Sequence, residues 1–325
     1  MDGFIRIPLG DVVATAVDWL VANAQGLFAV LRAVFTGMYD ALYTVLGADY
    51  FWIVPGSLAV TGMSVVVIVF ALVALLARGW VFAVGTTAGL LFVASVAQWD
   101  NAMATLSLVI VATFWALAVA IPLGIAAARN DRVSAAIRPV LDFLQTMPAF
   151  VYLIPALLLL RVGVAPGIIA TIVFSLAPGV RLTELGIRGV DREVVEAGQA
   201  FGSTPSRILR QIQLPLALPT IMAGVNQVIM LALSMVVIAG MVGAGGLGGD
   251  IYASLGRLDT ALGVEAGLSV VVIAIILDRL TGAFGKRLGL FARLSRAVAT
   301  RRSAAAIAVP DAPAHTEDAP LAAVR

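Results

Sequence analysis

The stretch 193–219 reads "EVVEAGQAFGSTPSRILRQIQLPLALP" and interrupts a chain that is otherwise almost entirely apolar. It contains three prolines, two glycines and charges of both signs. Loops between apolar helices are ordinarily short. A polar segment of this length therefore indicates a specific task outside the hydrocarbon layer.

The composition around this stretch defines the class of protein. Of 325 residues, 61% are hydrophobic and only 12% are charged, whereas soluble domains average about 25% charged residues. Long uncharged runs suit membrane helices, which need roughly 20 apolar residues. We therefore predict an all-α, polytopic membrane protein and exclude a soluble single domain. The seven predicted spans lie near residues 55–77, 80–98, 103–127, 139–160, 166–186, 218–242 and 261–280.

The distribution of basic residues predicts the orientation, because basic loops resist translocation. With the N-terminus outside and the C-terminus in the cytoplasm, 17 of the 21 Lys and Arg residues lie inside. The remaining four are Arg6, Arg32, Arg161 and Arg257. This model places 187–217 in the cytoplasm. The net charge of only +2 gives no reason to expect a nucleic-acid partner.

Residues 1–50 form a separate segment ahead of the predicted permease domain, 51–285. Seven polar residues between 11 and 46 recur at helical spacings and form one narrow stripe; they are Asp11, Thr15, Asp18, Gln25, Arg32, Thr36 and Asp40. We predict an amphipathic helix at the outer membrane interface, broken near Gly26 or Gly37. The alternative is a further span, for which Arg32 would be costly at the bilayer centre. The basic tail, 286–325, is predicted to be disordered.

Local signals in 187–217 predict two short helices joined by a glycine elbow. An acid-rich start suits a helix N-terminus, and Gly202 lies where a helix C-cap belongs. Pro205 suits the first turn of a second helix. Pro215 and Pro219 are expected to interrupt that helix before the next span.

The same loop resembles a motif of the membrane subunits of binding-protein-dependent ABC importers. That motif is E-A-A, three residues, G, nine residues, and I-x-L-P. Six positions match it in type and spacing: Glu196, Ala197, Gly202, Ile212, Leu214 and Pro215. Gly198 replaces the third-position alanine and lowers helix propensity slightly. The resemblance implies that these seven residues belong to a coupling loop that docks on an ATP-binding subunit.

Further blocks resemble the permease of glycine betaine/proline betaine importers. They include "LQTMPAFVYLIPALLLL" (144–160), "LAPGVRLTELGIRGV" (176–190) and 214–248, and the resemblance covers about residues 5–285. It implies an ABC type I importer permease fold in the bacterial inner membrane, in a homodimer. The implied partners are two copies of an ATP-binding cassette subunit, an extracytoplasmic substrate-binding protein and membrane lipid. The implied substrate is glycine betaine or a related quaternary amine, moved into the cytoplasm by alternating access.

The chain itself lacks the groups that catalysis would need. No G-x-x-x-x-G-K-[ST] motif occurs, so ATP and Mg are expected on the partner subunit and no cofactor on this chain. The sequence has no cysteine, and its one histidine, His315, lies in the tail. We therefore expect no catalytic residues and no metal site, and a translocation subunit rather than an enzyme.

Uncharged polar and thioether side chains are the candidates for a substrate path. They are Gln145, Thr146, Met147, Asn226, Gln227, Met230 and Ser234. Polar contacts between packed helices are an equally good interpretation of these residues. An ion-coupled secondary transporter is the alternative function, since carboxylates within membranes often relay protons. Against it, no carboxylate falls in the middle of a predicted span.

Overall fold

The fold is built from helices of widely different length. The computed structural model describes residues 9–47, 51–53 and 59–284. Its first helices are α1 (Leu9–Asn23), α2 (Gln25–Gly47), α3 (Gly62–Arg78), α4 (Trp80–Ser95) and α5 (Trp99–Arg129). Then follow α6 (Asp131–Thr146), α7 (Ala149–Leu160), α8 (Val164–Arg188) and α9 (Arg192–Ala200). The last are α10 (Pro205–Ile208), α11 (Leu214–Ala239), α12 (Gly246–Arg257) and α13 (Thr260–Phe284).

The prediction of an all-α membrane protein is confirmed. Five of the described helices are long and apolar enough to cross a membrane, and a sixth crossing results if α6 and α7 count as one broken span. The five are α2, α5, α8, the helical stretch 205–244, and α13. The predicted spans near 55–77 and 80–98 correspond to α3 and α4, which are shorter apolar helices of 17 and 16 residues.

The predicted span near 139–160 is wrong as a single straight helix. The chain bends by 99° between α6 and α7. Pro148 disfavours helical geometry at the residue before it, and Met147 accordingly has extended backbone angles, with φ −74° and ψ 137°. Pro139 and Pro155 lie inside α6 and α7 without ending them. The apolar run 139–160 therefore contains a sharp bend that its hydropathy does not reveal.

The start of the first predicted span is also corrected. A two-stranded antiparallel hairpin, β1 (Phe51–Ile53) and β2 (Ala59–Thr61), precedes α3, so helix begins at Gly62 and not near 55. Ahead of the hairpin, the expected break in the N-terminal helix lies at Ala24, two residues before Gly26.

The second N-terminal helix packs against the middle of α5. The rings of Phe35 and Trp115 meet edge to face at 5.9 Å, and Trp115 Nε1 donates a hydrogen bond to Met38 Sδ at 3.3 Å. Because α2 is also long enough to cross a membrane, this contact favours the alternative of a further span. The interfacial placement stays a prediction. The tail 286–325 lies outside the described residues.

Three helices, α5, α8 and α11, form the centre of the bundle. Small residues let them approach closely, as is common in membrane helix pairs. A Cβ on Gly124 of α5 would lie 2.5 Å from Thr183 Cβ, and one on Gly179 of α8 would lie 2.8 Å from Ala120 Cβ and 3.0 Å from Val228 of α11. The bundle centre is therefore a tightly packed frame with no room for added side chains.

The bundle has two distinguishable ends. At one end, α8 finishes at Arg188 and α11 begins at Leu214. We name this the loop end, because the 187–217 loop connects the two helices there. At the opposite or far end, α12 is fixed to the start of α5: the Leu247 N–H donates to Thr105 Oγ1 at 2.9 Å, and Asn101 Nδ2 donates to Asp250 Oδ2 at 2.6 Å.

Candidate functional site: the 187–217 loop and the helix that follows it

The first helix of the loop, α9, begins where the sequence predicts a helix start. Asp191 is its N-cap, and the Asp191 carboxylate accepts a hydrogen bond from the Glu193 N–H at 3.0 Å. Such a cap satisfies one of the amide groups that a helix leaves free at its start. The nine-residue helix is amphipathic, and its buried residue is Gly198.

The expected glycine elbow follows α9. Gly202 has φ +75°, in the left-handed region that glycine adopts without penalty, and its N–H donates to the Gln199 carbonyl at 2.8 Å. The next amide, of Ser203, donates to the Gly198 carbonyl at 3.1 Å. These bonds close the end of α9 and reverse the chain direction into α10.

The second helix does not stop before the membrane, which corrects the predicted interruption at Pro215 and Pro219. Helical conformation runs without a break through 205–241, and a π-helical turn, Leu209–Gln213, joins α10 to α11. The stretch then kinks at Val242 and Gly243, whose backbone angles are not helical. Pro215 and Pro219 lie inside this stretch without ending it. The Leu214 N–H, just before Pro215, closes the π turn by donating to the Leu209 carbonyl.

The two helices of the loop touch at Gly198. A Cβ placed there would lie 2.7 Å from Ile212 Cδ1 and 3.6 Å from Ile208 Cγ1. The glycine that departs from the importer motif therefore allows a closer approach of α9 to the π turn than alanine would. Leu214 is partly buried and Pro215 exposed, while Glu196 and Ala197 face solvent.

An exposed aromatic side chain stands at the tip of the loop. Phe201 is 91% exposed and directly precedes the elbow glycine. Burial of this side chain against another molecule would contribute about 1.5–3 kcal/mol, so Phe201 is a candidate contact for a partner. It was not among the predicted site residues, although it is the one aromatic residue in 187–217.

An ionic network around the buried carboxylate of Glu184 holds the loop end of the bundle together. Glu184 of α8 is 6% exposed and accepts hydrogen bonds from Ser134 Oγ at 2.7 Å and Arg188 Nε at 3.0 Å, with Arg138 at 3.4 Å. Arg188 also contacts Asp131 at 2.7 Å and donates to the Ala127 carbonyl at 2.8 Å. The network joins α5, α6 and α8 one turn before the loop begins. The sequence shows the Glu184–Arg188 spacing but not the partners on α6.

Two of the predicted path residues share an open face of α11. Gln227 and Ser234 are exposed and seven residues apart, while Met230 is partly buried against the core. The Ser234 hydroxyl donates to the Met230 carbonyl at 3.0 Å, which satisfies it within the helix.

Asn226, in contrast, is engaged between helices. Its amide nitrogen donates to Asp278 Oδ1 at 3.0 Å, and Thr281 Oγ1 donates to its amide oxygen at 2.5 Å. Both partners lie on α13. For this residue the geometry matches the interpretation as a polar contact between packed helices.

The remaining path residues lie at the corner between α6 and α7. Gln145 and Thr146 are exposed at the end of α6. Met147 packs into a cluster that includes Met235 of α11. The fold thus brings the corner beside Met235 of α11, one residue from Ser234.

Fold and site together define a class: a polytopic helical membrane protein whose solvent-facing loop continues directly into a core membrane helix. Within that class, a family model described as "Binding-protein-dependent transport system inner membrane component" matches residues 120–290, just over half of the chain. The chain belongs to this family. It is accordingly a multi-pass inner-membrane translocation subunit, and ATP hydrolysis takes place on a separate subunit.

Individual relatives agree with this assignment. The chain is 42% identical over 283 residues to the glycine betaine transport system permease protein OpuAB of Bacillus subtilis (strain 168), covering 86% of this chain and 95% of OpuAB. It is 44% identical over 282 residues to the glycine betaine/proline betaine transport system permease protein ProW of Escherichia coli (strain K12), covering 86% and 76%.

A solved structure supports the fold. The chain is similar to a chain of the MetNI methionine ABC transporter in an inward-facing conformation, native CY5 crystal form, with a TM-score of 0.53 and 19% identity over 58% of this chain and 94% of that one. None of these likenesses supports an ion-coupled secondary transporter. Family membership implies two kinds of partner, an ATP-binding subunit and a substrate-binding protein.

Proposed function

We propose that the chain is the membrane subunit of an ATP-driven importer of glycine betaine or a related quaternary amine. Two copies would form a homodimer, joined by two ATP-binding cassette subunits that hold ATP and Mg, while this chain binds no cofactor. A substrate-binding protein would deliver the substrate at the far end. The names of the relatives support the substrate class.

One observation carries the proposal of coupling. Glu196, Ala197, Gly198 and Gly202 form or end α9, and Ile212, Leu214 and Pro215 belong to the helical stretch 205–244 that also bears Gln227 and Ser234. Any displacement of the loop by an ATPase subunit therefore moves the face of α11 that is open to the substrate. Exposed Phe201 supplies an apolar anchor for such a partner.

The path is assigned to uncharged side chains that are exposed in the single chain. Gln227 and Ser234 on α11, with Gln145 and Thr146 at the corner, face away from the core. Met147 and Met230 border this face, and Asn226 ties α11 to α13 behind it. None of the residues assigned to the path is aromatic, so they would hold a quaternary amine weakly, which suits passage and leaves capture to the binding protein.

Uptake into proteoliposomes tests the proposed function. With the complete complex reconstituted, labelled glycine betaine should accumulate only when ATP is enclosed on the side of the loop. Imposed proton or sodium gradients should drive no uptake. Gradient-driven uptake in the absence of ATP would show a secondary transporter and refute the proposal.

A substitution on the open face of α11 tests the path. Ser234→Trp places a bulky ring where the side chain now faces open space, so we expect uptake to fall by more than half. Because this position is outside the core, assembly with the ATPase and basal ATP hydrolysis should persist. Leu268→Trp, on an exposed face of α13, is the control. Normal uptake by Ser234→Trp would place the path elsewhere.

We also propose that the loop end faces the cytoplasm, with the N-terminus outside. The chain has no native cysteine, so single cysteines report the orientation. Ser206→Cys, exposed in α10, should be shielded from an impermeant thiol reagent in intact cells. Gly256→Cys, where a Cβ meets open space, should react. The reverse labelling pattern would overturn the orientation and, with it, the ATPase side.

A further inference from the structure

A groove on the surface of the bundle, between α4 and α13, lies away from the loop and from the open face of α11. It encloses about 450 Å³. Its walls are apolar and include Val81 and Phe82 of α4 with Val272, Ile275 and Ile276 of α13. Gly85 leaves open space within it, because a Cβ there would meet nothing within 4 Å. At Gly89 the groove closes, since a Cβ there would lie 2.9 Å from Val272 of α13.

Two guanidinium groups stand at one end of this groove. Arg78 ends α3, and Arg279 lies near the end of α13; both line the groove. Arg78 Nη2 lies 3.5 Å from the position of a Cβ on Gly282, which places its charge beside the end of α13. Asp278 is the carboxylate next to them, but its Oδ2 is 3.9 Å from Arg279 Nε, beyond hydrogen-bond distance. Its other oxygen already accepts from Asn226.

The arginine end of the groove is at the loop end of the bundle. Helix α13 leaves the far end, where Gly263 lies beside Ser254 of α12, and runs towards the loop end. Helix α4 runs the opposite way from Trp80, so its residues nearest Arg78 face the last turns of α13. Along α13 the lining from Val272 to Arg279 extends about 10 Å at 1.5 Å per residue.

This combination matches one kind of occupant. The hydrocarbon core of a bilayer is about 30 Å thick, so one leaflet supplies about 15 Å of acyl chain; the groove would hold the part of that chain nearest the headgroup. Basic pockets between membrane helices bind anionic lipid headgroups, and guanidinium groups favour phosphate. From this geometry we infer that the groove is a binding site for an anionic phospholipid, with one acyl chain along α4 and α13 and the phosphate between Arg78 and Arg279.

Gly85 offers a direct test, because a Cβ there meets nothing within 4 Å. Gly85→Leu fills the groove without a clash and improves helix propensity, so the protein should fold. The full-length protein is purified with dioleoylphosphatidylglycerol or dioleoylphosphatidylcholine, and native mass spectrometry counts the retained lipid. Wild type should retain the anionic lipid preferentially, and Gly85→Leu should abolish that retention.

Arg78→Gln should lower retention about fivefold, which corresponds to about 1 kcal/mol for one arginine near a lipid surface, whereas Arg78→Lys should retain the lipid. Two controls should match wild type: Gly267→Leu, another open position on α13, and Arg257→Gln, at the end of α12.

Equal retention of the two lipids would overturn the site, as would unchanged retention by Gly85→Leu. A comparable loss in Arg257→Gln would assign binding to overall charge and overturn it too. The measurement uses no ATP, ATPase subunit or substrate, so its failure leaves the importer proposal intact.

Discussion

Replacing Phe201 with alanine should lower the affinity of the permease for its ATP-binding subunit about 10- to 100-fold. The side chain is 91% exposed in the isolated chain, and burial of a phenylalanine contributes about 1.5–3 kcal/mol, which converts to that range. Central, fully buried aromatic anchors often dominate interfaces. The measurement is equilibrium binding of the purified ATPase subunit to the permease in nanodiscs, with uptake measured in parallel.

The Phe201→Ala variant should change docking without changing the stability of the fold. Phe201 makes little contact within its own chain, so thermal unfolding of Phe201→Ala should match wild type. Leu255→Ala is the matched control, because Leu255 is also exposed, at 69%, but lies on α12 at the far end. If Phe201→Ala binds the ATPase within twofold of wild type, the tip of the loop is not the docking anchor.

Removal of the Glu184 carboxylate should have the largest effect on stability. In Glu184→Ala, the buried Ser134 hydroxyl loses its acceptor, and Arg138 and Arg188 lose their shared counter-ion. Breaking a buried ion pair costs about 3–5 kcal/mol. The exposure of both arginines and the remaining contact of Arg188 with Asp131 reduce this to about 2–3 kcal/mol. Intrinsic tryptophan fluorescence during heating should show unfolding several degrees below wild type.

The size of the loss in unfolding free energy distinguishes a structural network from a surface contact. Glu184→Gln keeps an acceptor for Ser134 and should be intermediate. Glu196→Gln is the control, because Glu196 is 66% exposed and its contact with Arg192 is long, at 4.0 Å. The unfolding temperature of this variant should be unchanged. If Glu184→Ala unfolds at the wild-type temperature, the network contributes no net stability.

Local chemistry explains what the sequence predicted well. The cap at Asp191, the left-handed Gly202 and the start at Pro205 each depend on residues within a few positions. The two short helices and the elbow could therefore be predicted without tertiary information. Hydropathy likewise predicted most of the membrane helices, because each must satisfy its backbone hydrogen bonds internally.

The features that escaped prediction are those that depend on distant partners. Five prolines lie in the interiors of α5, α6, α7, α8 and α11, beyond the first turn, and the chain bends sharply at Pro148 instead. Nothing local to Pro148 distinguishes it from those five. The partners of Glu184 on α6 lie 46 and 50 positions away in sequence, and the bonds of Asn226 to α13 span 52 and 55. Such contacts follow from the packing of the bundle.

The long helix through 205–241 has a mechanical consequence. It runs from the elbow to a kink at Val242 and Gly243 and extends about 55 Å at 1.5 Å per residue. A lever of that length converts a tilt of a few degrees at one end into several ångströms of travel at the other. Gln227 and Ser234 lie on this lever, before the kink. The open face of α11 should therefore keep step with the movement of the ATPase, whereas α12, beyond the kink, is free to move at a different angle.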